Sequence, residues 1–165
     1  MNQKEAALEA LELRETQAVK KTFDYVISFV AKAGKSGSVS IPINSDGDFH
    51  ELGYNIRYTE NSTVTTGEGD DAVTKNFSNL KLMFSGQSAN GQQSNDKIPV
   101  QLIATPGTDN NPRYGTRPFD FTYPENDTLV IYYDNLAPEV LDGEVYEMKD
   151  ERVDIVFNGK LYHTK

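Results

Sequence analysis

One short segment has the residue types of a calcium-binding loop. Asn44-Ser45-Asp46-Gly47-Asp48 places oxygen-bearing side chains around a glycine. An EF-hand loop needs a glycine at its sixth position and a glutamate at its twelfth. Counted from the first residue of the segment, these positions hold Phe49 and Asn55, so that register fails. A different calcium site, built from Asp46 and Asp48 with loop carbonyls, stays open, and the favoured interpretation is a tight turn whose Asx side chains bond the backbone.

The side chains that catalysis or zinc binding would need are few. The chain has two histidines, His50 and His163, and no cysteine. This excludes disulfides, thiolate metal sites, a three-histidine zinc site and an HExxH site. No spacing indicates a Ser-His-Asp triad or a nucleophile elbow, and there is no Walker or GxGxxG motif. We interpret His50 as a surface or rim histidine, and the sequence predicts a protein that is not an enzyme and has no cofactor.

The charge of the chain limits its partners. There are 16 Lys and Arg against 25 Asp and Glu, a formal net charge of -9, whereas nucleic acids and anionic membranes attract an excess of basic residues. We therefore expect neither as a partner. Residues 1–20 lack the apolar stretch of a secretory signal, and no apolar run reaches the ~20 residues of a membrane span.

Acidic residues are concentrated near the carboxyl end. Residues 134–154 hold eight carboxylates against two bases, Lys149 and Arg152. The favoured interpretation is a solvated face, and the alternative is a patch that docks on a basic partner.

Arginine and aromatic residues come together where a long loop meets a strand. Residues 105–117 contain two prolines and two glycines, and loops of this length are often functional. Arg113, Tyr114, Arg117 and Phe119 lie at its end, in a chain short of bases. Because Arg and Tyr are enriched at the energetic centres of interfaces, these four residues are a candidate contact with an acidic or aromatic partner. A turn whose arginines pair with nearby carboxylates is the simpler and favoured interpretation.

The elements that would position these residues begin with a helix. Residues 3–18 have high helix propensity, and Asn2 with Glu5 forms a capping box. Leu8 and Leu11 form a narrow apolar stripe that could face a partner. Because such a helix is marginal alone, we expect residues 1–20 to be an arm that docks on its own domain or, as we slightly favour, on another subunit.

Beyond residue 20 the apolar pattern has a period of two, which indicates strands. Pro42 suggests an edge strand, and Asn158-Gly159 has the composition of a hairpin turn. The predicted strands number eight or nine: 23–29, 39–43, 49–58, 80–84, 98–102, 119–123, 129–133, 153–157 and 160–162. Residues 129–133 are apolar on both faces, which predicts a central strand. We therefore expect residues 21–165 to form an all-β domain, an antiparallel two-sheet β-sandwich, with a jelly roll favoured over an immunoglobulin-like sandwich.

Four tyrosines suggest a second kind of surface. Tyr54, Tyr58, Tyr132 and Tyr133, if exposed, could form a platform for carbohydrate. Tyrosines that alternate along strands more often pack within the sheet, and this is the favoured interpretation.

Several segments together resemble a known class of proteins. They are Ile41-Pro42-Ile43 leading into Asp46-Gly47-Asp48-Phe49, residues 52–58, Pro106-Gly107, Arg117-Pro118-Phe119, and the closing Phe157-Asn158-Gly159-Lys160-Leu161-Tyr162. With the strand layout, this chain resembles the small jelly-roll accessory proteins of bacteriophage capsids, which act as cement, decoration or vertex components. The resemblance implies a non-enzymatic virion protein that is assembled in the host cytoplasm. It also implies contacts with the major capsid protein or other virion proteins and a homo-oligomer, with a trimer favoured.

The sequence leaves three functions to compare. A structural assembly protein would make its contacts through the arm and through residues 113–119. A carbohydrate-binding β-sandwich module, at a fibre or tail tip, would present an exposed aromatic platform, with calcium at Asp46 and Asp48. A hydrolase on a jelly-roll scaffold would need a cleft with two carboxylates and a shifted pKa, and no motif supports it. We therefore expect a structural protein.

Overall fold

The structure is a computed structural model that describes residues 19–88, 94, 96–106 and 121–163. The described residues form an all-β protein with two single turns of 3₁₀ helix, Gly69–Asp71 and Val100–Leu102. The strands are β1 Val19–Ala31, β2 Lys35–Pro42, β3 Asp48–Tyr58, β4 Ser62–Thr66, β5 Val73–Phe77, β6 Lys81–Gly86, β7 Ile98–Pro99, β8 Thr105–Pro106, β9 Phe121–Tyr123, β10 Thr128–Asn135, β11 Glu144–Glu147 and β12 Glu151–His163.

The strands form three sheets. The first sheet has the order β1-β12-β3-β8, and β9 pairs with β3 at the other end from β8. The second sheet has the order β2-β10-β6-β7, and the third has the order β11-β4-β5. The pairings are antiparallel except for the short parallel contact between β3 and β8. The antiparallel sheets of the all-β prediction are therefore confirmed.

The core lies between the first and second sheets because alternate residues of their strands point inward. Along β12, Val153, Ile155 and Phe157 are buried, whereas the residues between them are not. The ring of Phe84, on the second sheet, lies 5.0 Å from the ring of Tyr54 and 5.2 Å from that of Phe157, both on the first sheet. The two sheets thus face each other, as in a β-sandwich.

Two local predictions about strands are borne out. β10 covers the segment that is apolar on both faces, and it lies between β2 and β6 in the second sheet. In the described part of the chain β2 pairs with β10 alone, so Pro42 lies on an edge strand as predicted. The second outcome follows from a local rule, because proline cannot donate a hydrogen bond to a second neighbouring strand.

The predicted hairpin turn at Asn158-Gly159 is wrong. Both residues lie inside the continuous strand β12, at a bulge in its pairing with β3. A Cβ added at Gly159 would lie 2.3 Å from the carbonyl oxygen of His50 and 2.5 Å from the ring of Phe49. The glycine is therefore required by close packing of backbone and ring, and not by a turn.

Other elements differ from the prediction or lie outside the described residues. The predicted strand 98–102 pairs only over β7, and Val100–Leu102 turns into a 3₁₀ helix. The predicted helix and its Leu8 and Leu11 fall on residues outside those that the structure describes. β1 begins at Val19, and the division into an arm and a sandwich domain stays a prediction. Among the described residues no helix is long and apolar enough to cross a membrane.

Candidate functional site

The residues that the sequence predicts to contact a partner form two groups. Leu8 and Leu11, and the group Arg113, Tyr114, Arg117 and Phe119, all lie outside the described residues, so their roles stay predictions. The flanks of the second group are described. β8 pairs with β3 beside Arg57, and β9 pairs with β3 beside Phe49 and Glu51. The two described strands that flank this segment, β8 and β9, therefore both lie along β3.

The Asn44–Asp48 segment forms a turn with one hydrogen bond inside it and one from Glu125. The Asn44 side-chain amide donates to Asp46 at 3.2 Å, and the Glu125 backbone N–H donates to Asp48 at 2.9 Å. Gly47 has a φ of +148°, and its α-carbon packs against the Tyr162 carbonyl. Among the described residues no three His, Cys, Asp or Glu side chains are grouped to hold a metal. These contacts agree with the turn interpretation, and calcium at Asp46 and Asp48 stays a prediction.

The tyrosines of the proposed carbohydrate platform point mainly inward. Tyr54 and Tyr58 are each 2% exposed. Tyr133 is half-buried and stacks on Phe29 with ring centroids 5.5 Å apart, and Tyr132 is 37% exposed. The interpretation of Tyr54 and Tyr58 as sheet-packing residues is confirmed, and these two rings are not available to a glycan.

The third sheet is built from two distant parts of the chain. β4 and β5 lie in the connection from β3 to β6, and β11 lies in the connection from β10 to β12. The pairing register places four apolar side chains on one face, where the rings of Phe77 and Tyr146 meet at 5.5 Å: Val64, Val73, Phe77 and Tyr146. The opposite face carries Thr63, Thr65, Thr74 and Val145. Val73 is 50% exposed and Val145 is 70% exposed, so both faces present apolar groups to solvent.

A buried carboxylate ties this sheet to the first sheet. Glu151, the first residue of β12, is fully buried and accepts hydrogen bonds from the Thr59 hydroxyl at 2.8 Å and the Asn61 backbone N–H at 3.1 Å. It also accepts from the backbone N–H and the hydroxyl of Ser62, each at 3.1 Å. The Ser62 hydroxyl in turn accepts from the Lys149 N–H at 3.1 Å. Hydrogen bonds to a charged acceptor are stronger than neutral ones, so Glu151 fixes the start of β4.

A buried amide extends this network to β1. Asn135, the last residue of β10, is fully buried and donates through its side-chain amide to the carbonyls of Ala31, at 2.9 Å, and Lys149, at 3.0 Å. We call Glu151, Asn135 and Ser62 the anchor. It joins the ends of β1 and β10 to the start of β4 and of β12, and therefore holds the third sheet against the sandwich end.

Sequence reasoning missed the anchor, although a signal was present. Glu151 was counted among the acidic residues of the segment 134–154. It also lies two residues before Val153, and therefore on the same strand face as Val153, Ile155 and Phe157, which predicts an inward side chain. A glutamate in the inward register of a strand must find hydrogen-bond donors, because burying an unpaired carboxylate is costly.

Much of the rest of the acidic segment is exposed, and some of its carboxylates pair with lysines. Asp134 lies 2.7 Å from Lys97, and Asp150 lies 2.7 Å from Lys32. Burial raises the pKa of Asp134, but hydrogen bonds from Lys97 and Ser36 outweigh burial and hold this pKa below its usual value. The hydrogen bond from Lys32 likewise lowers the pKa of Asp150. Most of these carboxylates therefore have structural partners.

A shallow polar cleft lies beside this segment. Its volume is about 420 Å³, and its lining is Asn79, Lys81, Asp134, Leu136, Ala137, Pro138 and Glu139. Leu136, Val140 and Leu141, in the connection from β10 to β11, are 42%, 71% and 64% exposed. This connection thus adds apolar surface to that of the third sheet.

Comparison with protein-family models, with curated proteins and with solved structures finds no match for this chain.

Proposed function

We propose that this chain is a jelly-roll structural protein of a bacteriophage virion, a capsid cement, decoration or vertex component that holds neighbouring subunits together. Its partners would be the major capsid protein or other virion proteins, and it would act as a homo-oligomer on a particle assembled in the host cytoplasm. The proposal starts from the resemblance in the sequence. Three features of the described residues support it.

The first supporting feature is the nesting of the strand pairs. Apart from the short β8, the two larger sheets contain eight strands. In chain order they are β1, β2, β3, β6, β7, β9, β10 and β12. The first pairs with the last, the second with the seventh, the third with the sixth, and the fourth with the fifth. This is one long antiparallel hairpin folded over, with β12 joined to β3 and β10 joined to β6. Such nesting supports a jelly roll of eight strands.

The observation that carries the assembly function is the anchored third sheet. It packs on its own strands far more than on the two larger sheets, yet Glu151 fixes its first strand through several hydrogen bonds. Its exposed valines, Val73 and Val145, lie on opposite faces. A surface that is ordered before it meets a partner loses less conformational entropy on binding. The third sheet is therefore suited to contact a neighbouring subunit.

The third feature is the exposed apolar connection beside the cleft. Leu136, Val140 and Leu141 lie in the connection that also carries β11. Together with the third sheet they give a contact surface at one end of the sandwich. Each such contact need only be weak, because many copies on one lattice add their binding energies.

Co-sedimentation with particles tests the proposal. Antibodies raised against the recombinant chain would be used to probe a density gradient of a lysate from the source of the sequence. We expect the chain in the fractions that contain DNA-filled particles. A chain found only in the soluble fractions, while particles are abundant, would overturn the virion assignment.

A variant pair tests the surface itself. Val145→Lys places a charge on the third sheet, and Ser38→Lys places the same charge on an exposed position of β2. Particles lacking the chain would be titrated with each recombinant protein. We expect Val145→Lys to weaken binding at least tenfold and Ser38→Lys to have little effect. Equal binding by the two variants would show that the third sheet is not the contact.

A further inference from the structure

The long strand β1 has one edge that no described residue covers. β12 is the only strand among the described residues that pairs with β1, and it does so over all thirteen residues without a register shift. Among the described residues, no second strand pairs with the backbone N–H and C=O groups on the other edge. Native proteins protect such edges with short strands, bulges, proline or charges. β1 is long and regular and contains no proline, and its charged residues, Lys20, Lys21 and Asp24, all precede residues 25–31, which carry none.

The side chains along this edge are apolar on both faces. Val26 and Val30 point to the outer face of the first sheet and are 65% and 46% exposed. Phe23, Ile27 and Phe29 point inward and are only partly buried against the core. An apolar, regular edge strand is a template for another strand. The strand is thus built to be covered in the working state of the protein.

The order of residues along β1 matches the same strand running in the opposite direction. With a two-fold axis at Ser28, residues 25–31 of β1 pair with the same residues of the second copy. Val26 lies opposite Val30 on the outer face, and Asp24 lies opposite Lys32, the residue that follows β1. By symmetry each of these pairs occurs twice. On the inner face the same register sets Ile27 opposite Phe29. Apolar pairs and opposite charges directly across an antiparallel pair are stabilising.

Shifting the axis by one residue removes this match. With the axis at Ile27, Val26 lies opposite Ser28, and Asp24 lies opposite Val30. The charged partner Lys32 is available to a second carboxylate, because its side chain is 64% exposed and its ammonium group has three donors. It contacts Asp150 of its own chain at 2.7 Å, which keeps the charge at the strand end.

We propose that β1 pairs antiparallel with β1 of a second copy of this chain, across a two-fold axis at Ser28. The two first sheets then form one continuous sheet. This contact would be one interface between copies of the assembly protein proposed above. Its role in a particle rests on the proposed virion function. An isologous contact gives a dimer, in place of the trimer that the resemblance implies.

The chain contains no cysteine, so a single introduced cysteine can test the position of the two-fold axis. Residues directly opposite each other in an antiparallel pair have Cα atoms about 4.5–5.5 Å apart, within the range of a disulfide. Ser28→Cys, at an exposed position, should therefore give a disulfide-linked dimer on mild oxidation of a dilute solution. The matched control is Ser38→Cys, an exposed serine on the edge strand β2, which should stay largely monomeric on a denaturing gel.

A charge exchange tests the register without oxidation. Asp24→Lys sets two lysines opposite each other and should raise the dimer dissociation constant at least tenfold in sedimentation equilibrium. The double variant Asp24→Lys with Lys32→Asp should recover part of the lost affinity, because the opposite charges again face each other, whereas the new aspartate also faces Asp150 of its own chain. Failure of the double variant to recover, while its circular dichroism is that of the wild type, would contradict the register.

Three results would overturn the proposal: a monomeric wild-type chain, a trimer, or a dimer in which Ser28→Cys and Ser38→Cys link equally. These outcomes are separate from those of the gradient experiment. A monomer that co-sediments with particles removes the β1 contact and leaves the proposed function. A dimer that never co-sediments removes the proposed function and leaves the β1 contact.

Discussion

Replacing Glu151 by alanine should separate the stability of the anchor from that of the sandwich. The substitution removes the acceptor of the Thr59 and Ser62 hydroxyls and of the Asn61 and Ser62 backbone N–H groups. The hydroxyls can rotate towards other acceptors. Ser62 is fully buried, so its backbone N–H loses its hydrogen-bond partner. Water can replace the carboxylate only by entering the space that the shortened side chain leaves.

The expected loss of stability follows from these contacts. A hydrogen bond to a charged group contributes about 1.5–3 kcal/mol, and an orphaned buried donor costs about 1–3 kcal/mol. Removing the carboxylate also removes its own desolvation cost, which offsets part of this loss. We therefore expect Glu151→Ala to lower the free energy of unfolding by about 3 kcal/mol. For a chain of this size that corresponds to a fall in Tm of roughly 6–12 °C.

The measurement is urea unfolding followed by circular dichroism, with Glu147→Ala as the matched control. The Glu147 side chain is 68% exposed and lies 3.5 Å from Lys149, and exposed ion pairs of this kind contribute about 0–1 kcal/mol. Hydrogen exchange should also show faster exchange in β4 for Glu151→Ala alone. If the free energies of unfolding of the two variants differ by less than about 0.5 kcal/mol, which is comparable to the scatter of surface substitutions, the anchor does not have the stabilising role argued for it.

Three further substitutions test other contacts. Gly47→Ala should lower stability by more than about 1 kcal/mol in thermal melts, because its Cβ would lie 2.1 Å from the Tyr162 carbonyl oxygen; an unchanged Tm would contradict this. Burial, with nearby carboxylates, raises the pKa of Tyr58 to about 12 from 10.0. The unfolded chain therefore ionises first, and wild-type stability should fall from pH 10 to about 12. Tyr58→Phe should flatten that slope, and equal slopes in alkaline urea titrations would contradict it. The lowered pKa of Asp134 contributes stability above its unfolded pKa, lost as pH falls through the folded value. Asp134→Asn should therefore lose about 1 kcal/mol at neutral pH and less in acid, by urea titration at both pH values; a loss that does not depend on pH would contradict the ion pair with Lys97.

The strands of the two large sheets could be predicted because burial alternates locally. Tyr54, Ile56 and Tyr58 are spaced two apart and all are buried. The segment 129–133 lacks a polar face and lies at the centre of its sheet. In both cases a few consecutive residues carry the whole signal, since a strand's faces alternate with a period of two.

The third sheet could not be predicted in the same way. β4 and β5 are rich in threonine and have no buried face with a clear period of two, so the local pattern does not predict either strand. β11 pairs with β4 from about eighty residues further along the chain, a pairing that no local pattern encodes. Gly159 shows the same limit, because the neighbour that requires a glycine there is β3, about a hundred residues away.

The position of the third sheet follows from the nesting of the strands. β3 and β12 are antiparallel neighbours, so the end of β3 at Tyr58 lies beside the start of β12, opposite Val153. The connections that leave β3 and enter β12 must therefore run side by side at one end of the sandwich, where each can supply strands to the other. Glu151 and Asn135 lie at that junction, as the first residue of β12 and the last of β10. The polar side chains there satisfy backbone groups that the crossing connections would otherwise leave buried and unpaired, so the position of the third sheet at this end of the sandwich is a consequence of the topology.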